Sequence, residues 1–126
     1  MRRLAALLLT ALMCFALAGC GGRGDVSLVR LDLGSPDMYA EGDVRAAADA
    51  AMDAFRRECG GQTLRALRFD EDYCTAWLAA RSMEEPDGST IVLLASWTDA
   101  DGNKHDGVPW ALERRGDRWN ILDWSF

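Results

Sequence analysis

Few side chains in this 126-residue chain are equipped for covalent, metal or acid–base chemistry. They are four cysteines (Cys14, Cys20, Cys59, Cys74), one histidine (His105) and the acidic run Asp99-Ala100-Asp101-Gly102-Asn103-Lys104-His105-Asp106. That run spaces its first carboxylates as a calcium loop does, yet an EF-hand needs glycine at its sixth position and glutamate at its twelfth. Counted from Asp99, those positions hold Lys104 and Trp110, and Lys104 would bring positive charge to the cation. A solvated hairpin loop rich in Asp, Gly and Asn accounts for the same residues. One histidine cannot assemble a zinc site, which usually takes at least three protein ligands. No signature pairs it with a Ser or Cys nucleophile either. The expectation is no catalytic set, no metal and no cofactor.

Cys20 differs from the other thiols in what precedes it. Arg2 and Arg3 give a positive start, an apolar run from Leu4 to Leu17 is broken only by Thr10, and small residues Ala18 and Gly19 follow. That order is the anatomy of a secretion signal, and the run is too short for a comfortable transmembrane helix. The ending Leu17-Ala18-Gly19-Cys20 resembles a bacterial lipobox. The resemblance implies cleavage between Gly19 and Cys20, acylation of the Cys20 thiol, and anchoring at the extracytoplasmic face of the cell membrane. A plain cleaved signal or an uncleaved anchor is the rival reading. Twin-arginine export lacks the remainder of its pattern, because Leu4-Ala5-Ala6 follow the arginines. Each buried lipid methylene contributes about 0.8 kcal/mol, so several chains make a durable anchor.

Cys14 leaves with such a signal, so Cys59 and Cys74 remain as partners for a disulfide in an exported protein. Cys59 ends the first expected helix, beside the start of an expected strand over 62–69, and Cys74 lies past that strand's far end. Eight strand residues span ~26 Å, whereas a bridge needs Cα atoms within about 7 Å. Two buried free thiols are expected.

The 107 residues from Cys20 onward suffice for one compact domain. With 14 basic and 20 acidic residues, net charge −6, the surface repels nucleic acid and anionic headgroups. Hydrophobic residues at 49%, with five tryptophans, exclude a disordered mature chain.

The elements follow from periodicity. Residues 1–19 read as signal, 20–38 as a lipidated tether or N-terminal arm, and 39–126 as a single domain. Within the tether, Val26-Ser27-Leu28-Val29-Arg30-Leu31-Asp32-Leu33 is too apolar for a free linker and reads as an extra strand or an arm lying on the domain. Val44, Ala47, Ala48, Ala51, Met52 and Phe55 predict a helix over 41–59, opened by acidic and closed by basic residues and ended by Gly60-Gly61. A second helix is predicted over 70–83, with Tyr73, Ala76, Trp77 and Ala80 along one stripe, stopped by Pro86-Asp87-Gly88. A central strand is predicted over 90–97, a polar loop over 99–107, and a strand carrying Val108, Trp110 and Leu112. A turn at Arg115-Gly116-Asp117 precedes the closing strand 119–126. Arg-Gly-Asp at 23–25 and 115–117 is turn sequence. The class is α+β: helix, strand, helix, then a three-stranded antiparallel meander.

That order, with its closing Trp119-x-Ile121-x-x-Trp124-x-Phe126, resembles the nuclear-transport-factor-2-like (SnoaL-like) superfamily. More narrowly, the chain is similar to small bacterial lipoproteins of unknown function. The residues concerned are Tyr39 to Asp43, Phe69-Asp70-Glu71, Ile91 to Leu94, and a hairpin with Trp110, Leu112, Arg114, Gly116 and Trp119. The loop between the second and third strands is shorter than in those relatives. The resemblance implies a curved sheet packed on helices as a cone, in the SnoaL-like/cystatin-like manner. In such a cone, Trp77, Trp97, Trp110 and Trp124 would line an apolar cavity with Tyr73 and the carboxylate of Asp123. A buried Asp beside a Tyr is how related isomerases move protons next to a carbonyl. The competing reading makes the tryptophans core filler. The expected function is a non-catalytic binding or accessory module of the cell envelope, its partners the membrane through Cys20 and an envelope protein or small ligand, with no nucleic acid. A small isomerase or lyase and a self-associating structural module are the alternatives.

Overall fold

An alanine-rich helix laid on one face of a five-stranded mixed sheet organises the molecule. The computed structural model describes residues 23–81 and 89–124. The expected signal 1–19, Cys20, the expected helix end at Met83 and the Pro86-Asp87-Gly88 stop lie outside the described residues. The elements are β1 (Arg30–Asp32), α1 (Glu41–Glu58), β2 (Thr63–Arg68), α2 (Glu71–Ala80), β3 (Thr90–Thr98), β4 (Lys104–Arg115) and β5 (Arg118–Asp123). The strands lie side by side in chain order and the sheet is open. β1 runs parallel to β2 across the α1 crossover, and every other neighbouring pair is antiparallel.

Helix α1 forms where its charges suit the helix dipole, with Glu41 and Asp43 in the first turn and Arg56 and Arg57 in the last. Val44, Ala47, Ala48, Ala51, Ala54 and Phe55 are buried. The alanines, lacking bulk, let the helix lie close against β2, β3 and β5. Cys59 closes it by donating its N–H to the Phe55 carbonyl at 2.9 Å, and Gly61 at φ 77° turns the chain into β2.

Much of the segment expected as tether belongs to this fold. Arg30–Asp32 is a strand, so the apolar run 26–33 is the extra-strand alternative. Farther back, Asp25 bridges Thr63, and Gly24 donates its N–H to the Arg56 carbonyl at 2.9 Å. Val26, Val29, Leu31 and Leu33 pack against the core, which is why an apolar stretch sits here rather than a soluble linker.

Helix α2 differs from its expected stripe. Asp70 caps it, its side chain accepting the Tyr73 N–H at 3.1 Å. The buried residues are Cys74, Trp77 and Leu78, while Tyr73, Ala76 and Ala80 face out. The reason lies in the sheet: β2 ends at its Arg68↔Leu94 pair, leaving the N-terminal half of β3 without a strand on that side. α2 occupies the gap, and the Val92 N–H donates to Cys74 Sγ at 3.4 Å. A helix that must present Cys74 there presents Trp77 and Leu78 with it.

Among the described residues the sheet carries three bulges, and those in β2 and β4 set which side chains of these strands face α1. Leu64 and Leu67 are three apart and would point oppositely in a regular strand, but the extra residue Arg65 brings both to the covered face, opposite Trp97 and Ala95. In β4 the extra residue falls at Asp106-Gly107, with Gly107 at φ 62°, so His105 opposes Trp97 while Val108 opposes Ala95. The expected loop 99–107 is accordingly shorter, and β4 begins at Lys104. Its tight closure comes from Asp99 Oδ1, which accepts the N–H groups of Asp101 and Asn103 at 3.0 and 2.9 Å.

Candidate functional site

The aromatic residues expected to line a cavity split into three groups. Trp97, Trp110 and Trp124 come together. Trp97 and Trp110 are fully buried, with ring centroids 5.3 Å apart, and Trp124 meets Trp110 edge-on at 4.7 Å. Phe55 from α1 stacks on Trp110 at 5.9 Å. Rings this close fill the space between helix and sheet instead of surrounding a void. Trp77 belongs to α2, where the Arg81 guanidinium lies 3.6 Å above its ring. Tyr73 is 38% exposed on the outer side of α2, so its hydroxyl does not join the tryptophans. Asp123 pairs through its backbone with Ala111, and its side chain lies outside the described residues.

The column reaches solvent at His105. The imidazole lies flat on Trp97, with centroids 4.6 Å apart and planes 8° from parallel. Its Nε2 is 3.0 Å from Asp99 Oδ2. The hydrogen bond from His105, helped by those from the Asn103 and Asp101 backbone, holds the Asp99 carboxyl below the usual carboxylate range. An aspartate that orients a histidine is half of a proton-transfer arrangement, and the stacking on Trp97 fixes the plane of the ring. The pair clamps the β3–β4 loop onto the core.

Cys59 and Cys74 are both free and buried. Burial, with a smaller contribution from the neighbouring Glu58, pushes the Cys59 thiol up to about 11. Cys74 Sγ also lies 3.5 Å from the Tyr39 hydroxyl, so its sulfur ties α2, β3 and the start of α1 together. Among the described residues no group of three or more His, Cys, Asp or Glu side chains is arranged to hold a metal.

The opposite face of the sheet carries a different set, which sequence reasoning missed. Arg30, Asp32, Ala66, Arg68, Leu94 and Ser96 line a hollow of about 270 Å³ there. The register explains the grouping, since Arg30 opposes Ala66 and Asp32 opposes Arg68 on adjacent parallel strands. Neither Arg30 nor Arg68 is in an ion pair among the described residues. Arg65 reaches across the sheet to Asp106. The hollow falls just under the ~300 Å³ at which a drug-sized ligand can be enclosed. Two guanidinium groups and the Asp32 carboxylate line it together, so its charge is mixed. The signal was present as period-two spacing, Arg30-x-Asp32 and Ala66-x-Arg68, but seeing it required knowing that these two short strands are neighbours.

Compared with protein-family models, with curated proteins and with solved structures, the chain matches none. Among the described residues no helix is long and apolar enough to cross a membrane.

Proposed function

We propose that this chain is a lipoprotein held by an acylated Cys20 at the extracytoplasmic face of the cell membrane, where its single α+β domain serves as a non-catalytic binding or accessory module of the envelope. The observation that carries the reading is the order of the first residues: Arg2-Arg3, the apolar run to Leu17, then Ala18-Gly19-Cys20, with Gly24 making the first backbone hydrogen bond among the described residues. A processing site just ahead of the folded unit removes the apolar segment and leaves the domain whole. The finer fold reading, a three-stranded antiparallel meander in a cone-like SnoaL-like/cystatin-like domain, is supported by the successive antiparallel pairing of β3, β4 and β5 with α1 against β5. The packing of Trp97, Trp110 and Phe55 on one another favours core filler over the working cavity of an isomerase.

Mass spectrometry of the mature amino terminus tests this. The expected result is a chain starting at Cys20 and carrying acyl mass, with Cys20→Ala abolishing both fatty-acid labelling and membrane sedimentation. A chain that begins at Cys20 unmodified, or that still begins at Met1, would overturn it.

A further inference from the structure

We propose that one end of the domain rests directly on the phospholipid headgroups, and that the fold fixes which end that is. This rests on the lipid-anchor reading and adds an orientation to it. Gly24, near the start of the described residues, donates its N–H to the Arg56 carbonyl at the last turn of α1. In sequence, Gly21, Gly22 and Arg23 are all that lies between the acylated residue and Gly24. The four steps from Cys20 to Gly24, however extended, reach about 14 Å. The headgroup layer itself is roughly 5–7 Å deep on each side of the bilayer. A domain attached so closely cannot tumble freely above the surface.

The surface that meets the bilayer is defined by register. Asp25 bridges Thr63, Thr63 pairs with Thr98, and Thr98 pairs with Lys104. These residues form one row across the end of the sheet, beside the α1–β2 turn, and Gly61 of that turn approaches Ala100 of the β3–β4 loop. Basic groups at this end are Arg23, Arg56, Arg57 and Lys104, with Arg56 paired to Asp53, while the opposite end carries Glu41 and Asp43 together with Arg114, Arg115 and Arg118. Asp25, Glu58, Asp99 and Asp101 lie at the same end, so charge does not select it; the acyl chains supply affinity, and the short span from Cys20 to Gly24 sets the orientation. Leu28, 72% exposed, tips the turn just after Asp25, where Asp25 Oδ1 accepts from both Ser27 N–H and Ser27 Oγ. A rigid turn displaying a leucine beside the attachment point suits contact with the interface.

The two ends of β4 provide the test. Lys104 stands at the attachment end and the Gly116-Asp117 turn at the other, up to ~37 Å away along the strand. The full lipidated chain is made with Lys104→Cys or Asp117→Cys, both at exposed positions, labelled with a fluorophore, and placed in phosphatidylglycerol vesicles bearing a headgroup nitroxide. The buried native thiols stay unlabelled in the folded protein. With Cys20 acylation verified by mass spectrometry, quenching at position 104 is expected to exceed that at 117 by roughly threefold or more, given their separation. Equal quenching on an acylated chain overturns the orientation and leaves the anchor intact. A bare Cys20 overturns both.

Discussion

Gly24 donates its backbone N–H to the carbonyl of Arg56 at 2.9 Å, and its Cα lies so close to α1 that a side chain has no room. A Cβ at this position would meet the Phe55 carbonyl, would come within 2.8 Å of the Phe55 ring, and would stand 3.0 Å from the Cys59 carbonyl. The glycine is thus required by proximity, not by its backbone angles. Gly24→Ala is expected to destabilise the domain by roughly 1–3 kcal/mol, as overpacking does. Thermal denaturation would read this as a fall of at least several degrees in Tm. An unchanged Tm would mean that the segment 23–29 is not docked as described.

Trp110 is the hub of the covered face, touching Phe55, Trp97 and Trp124 with its ring while its strand position opposes Leu93. Trp110→Ala is expected to cost about 3–5 kcal/mol. Domains of this size have only about 5–15 kcal/mol in total. Denaturant titration should show the variant close to unfolded at ambient temperature. A loss near that of a surface substitution would instead reveal that the column encloses removable space.

The strong periodic elements were legible before the structure was known. An alanine-rich repeat bounded by acidic and basic turns left little choice for α1, and an apolar run on both faces marked β3 as central. The errors have a common origin in pairings between distant residues. The stripe on α2 was misplaced because the requirement for Cys74 comes from Val92, 18 residues later, where β2 no longer supplies a neighbour. The loop is shorter than its polar residues imply because a bulge at Gly107 lets His105 sit in a strand among charged residues. The residues expected around a cavity lie apart: Trp77 sits on the helix that fills the gap beside β3, Tyr73 on the exposed side of that helix, and Trp97 and Trp110 between α1 and the sheet.

Asp99 makes the β3–β4 loop sensitive to acid. Its carboxyl is held below the ordinary value of 3.8, first by His105 and then by backbone donors. The folded state therefore binds fewer protons there than the unfolded chain. The stabilisation is complete above the ordinary carboxylate range and is lost as pH falls through 3.8 toward the depressed folded value. Asp99→Asn keeps an oxygen for the Asp101 and Asn103 N–H groups and removes the charge facing His105. Wild type should be the more stable at pH about 6, with the gap closing as pH falls toward about 3. A gap that stays constant over that range would remove Asp99 from the account.

Cys59 imposes the opposite dependence at high pH. Its thiol is raised from 9.0 to about 11 by burial at the end of α1, with Glu58 adding to the effect. Between those values the folded protein retains a proton that the unfolded chain has released, so the stabilisation is full below 9.0 and drains away as pH rises toward 11. Tyrosine and lysine ionisation also weaken proteins in this range, so the informative quantity is the difference from Cys59→Ala, which lacks the thiol. Wild type should lose stability faster than the variant between pH 9.0 and about 11. The same burial predicts that iodoacetamide at neutral pH reacts with Cys59 slowly in the folded protein and readily in denaturant. A reducing agent should leave Tm unchanged, because both thiols are free. Parallel pH profiles for wild type and variant, or fast alkylation of the native chain, would show that the end of α1 is open to solvent and that the attachment end of the domain is looser than its hydrogen bonds indicate.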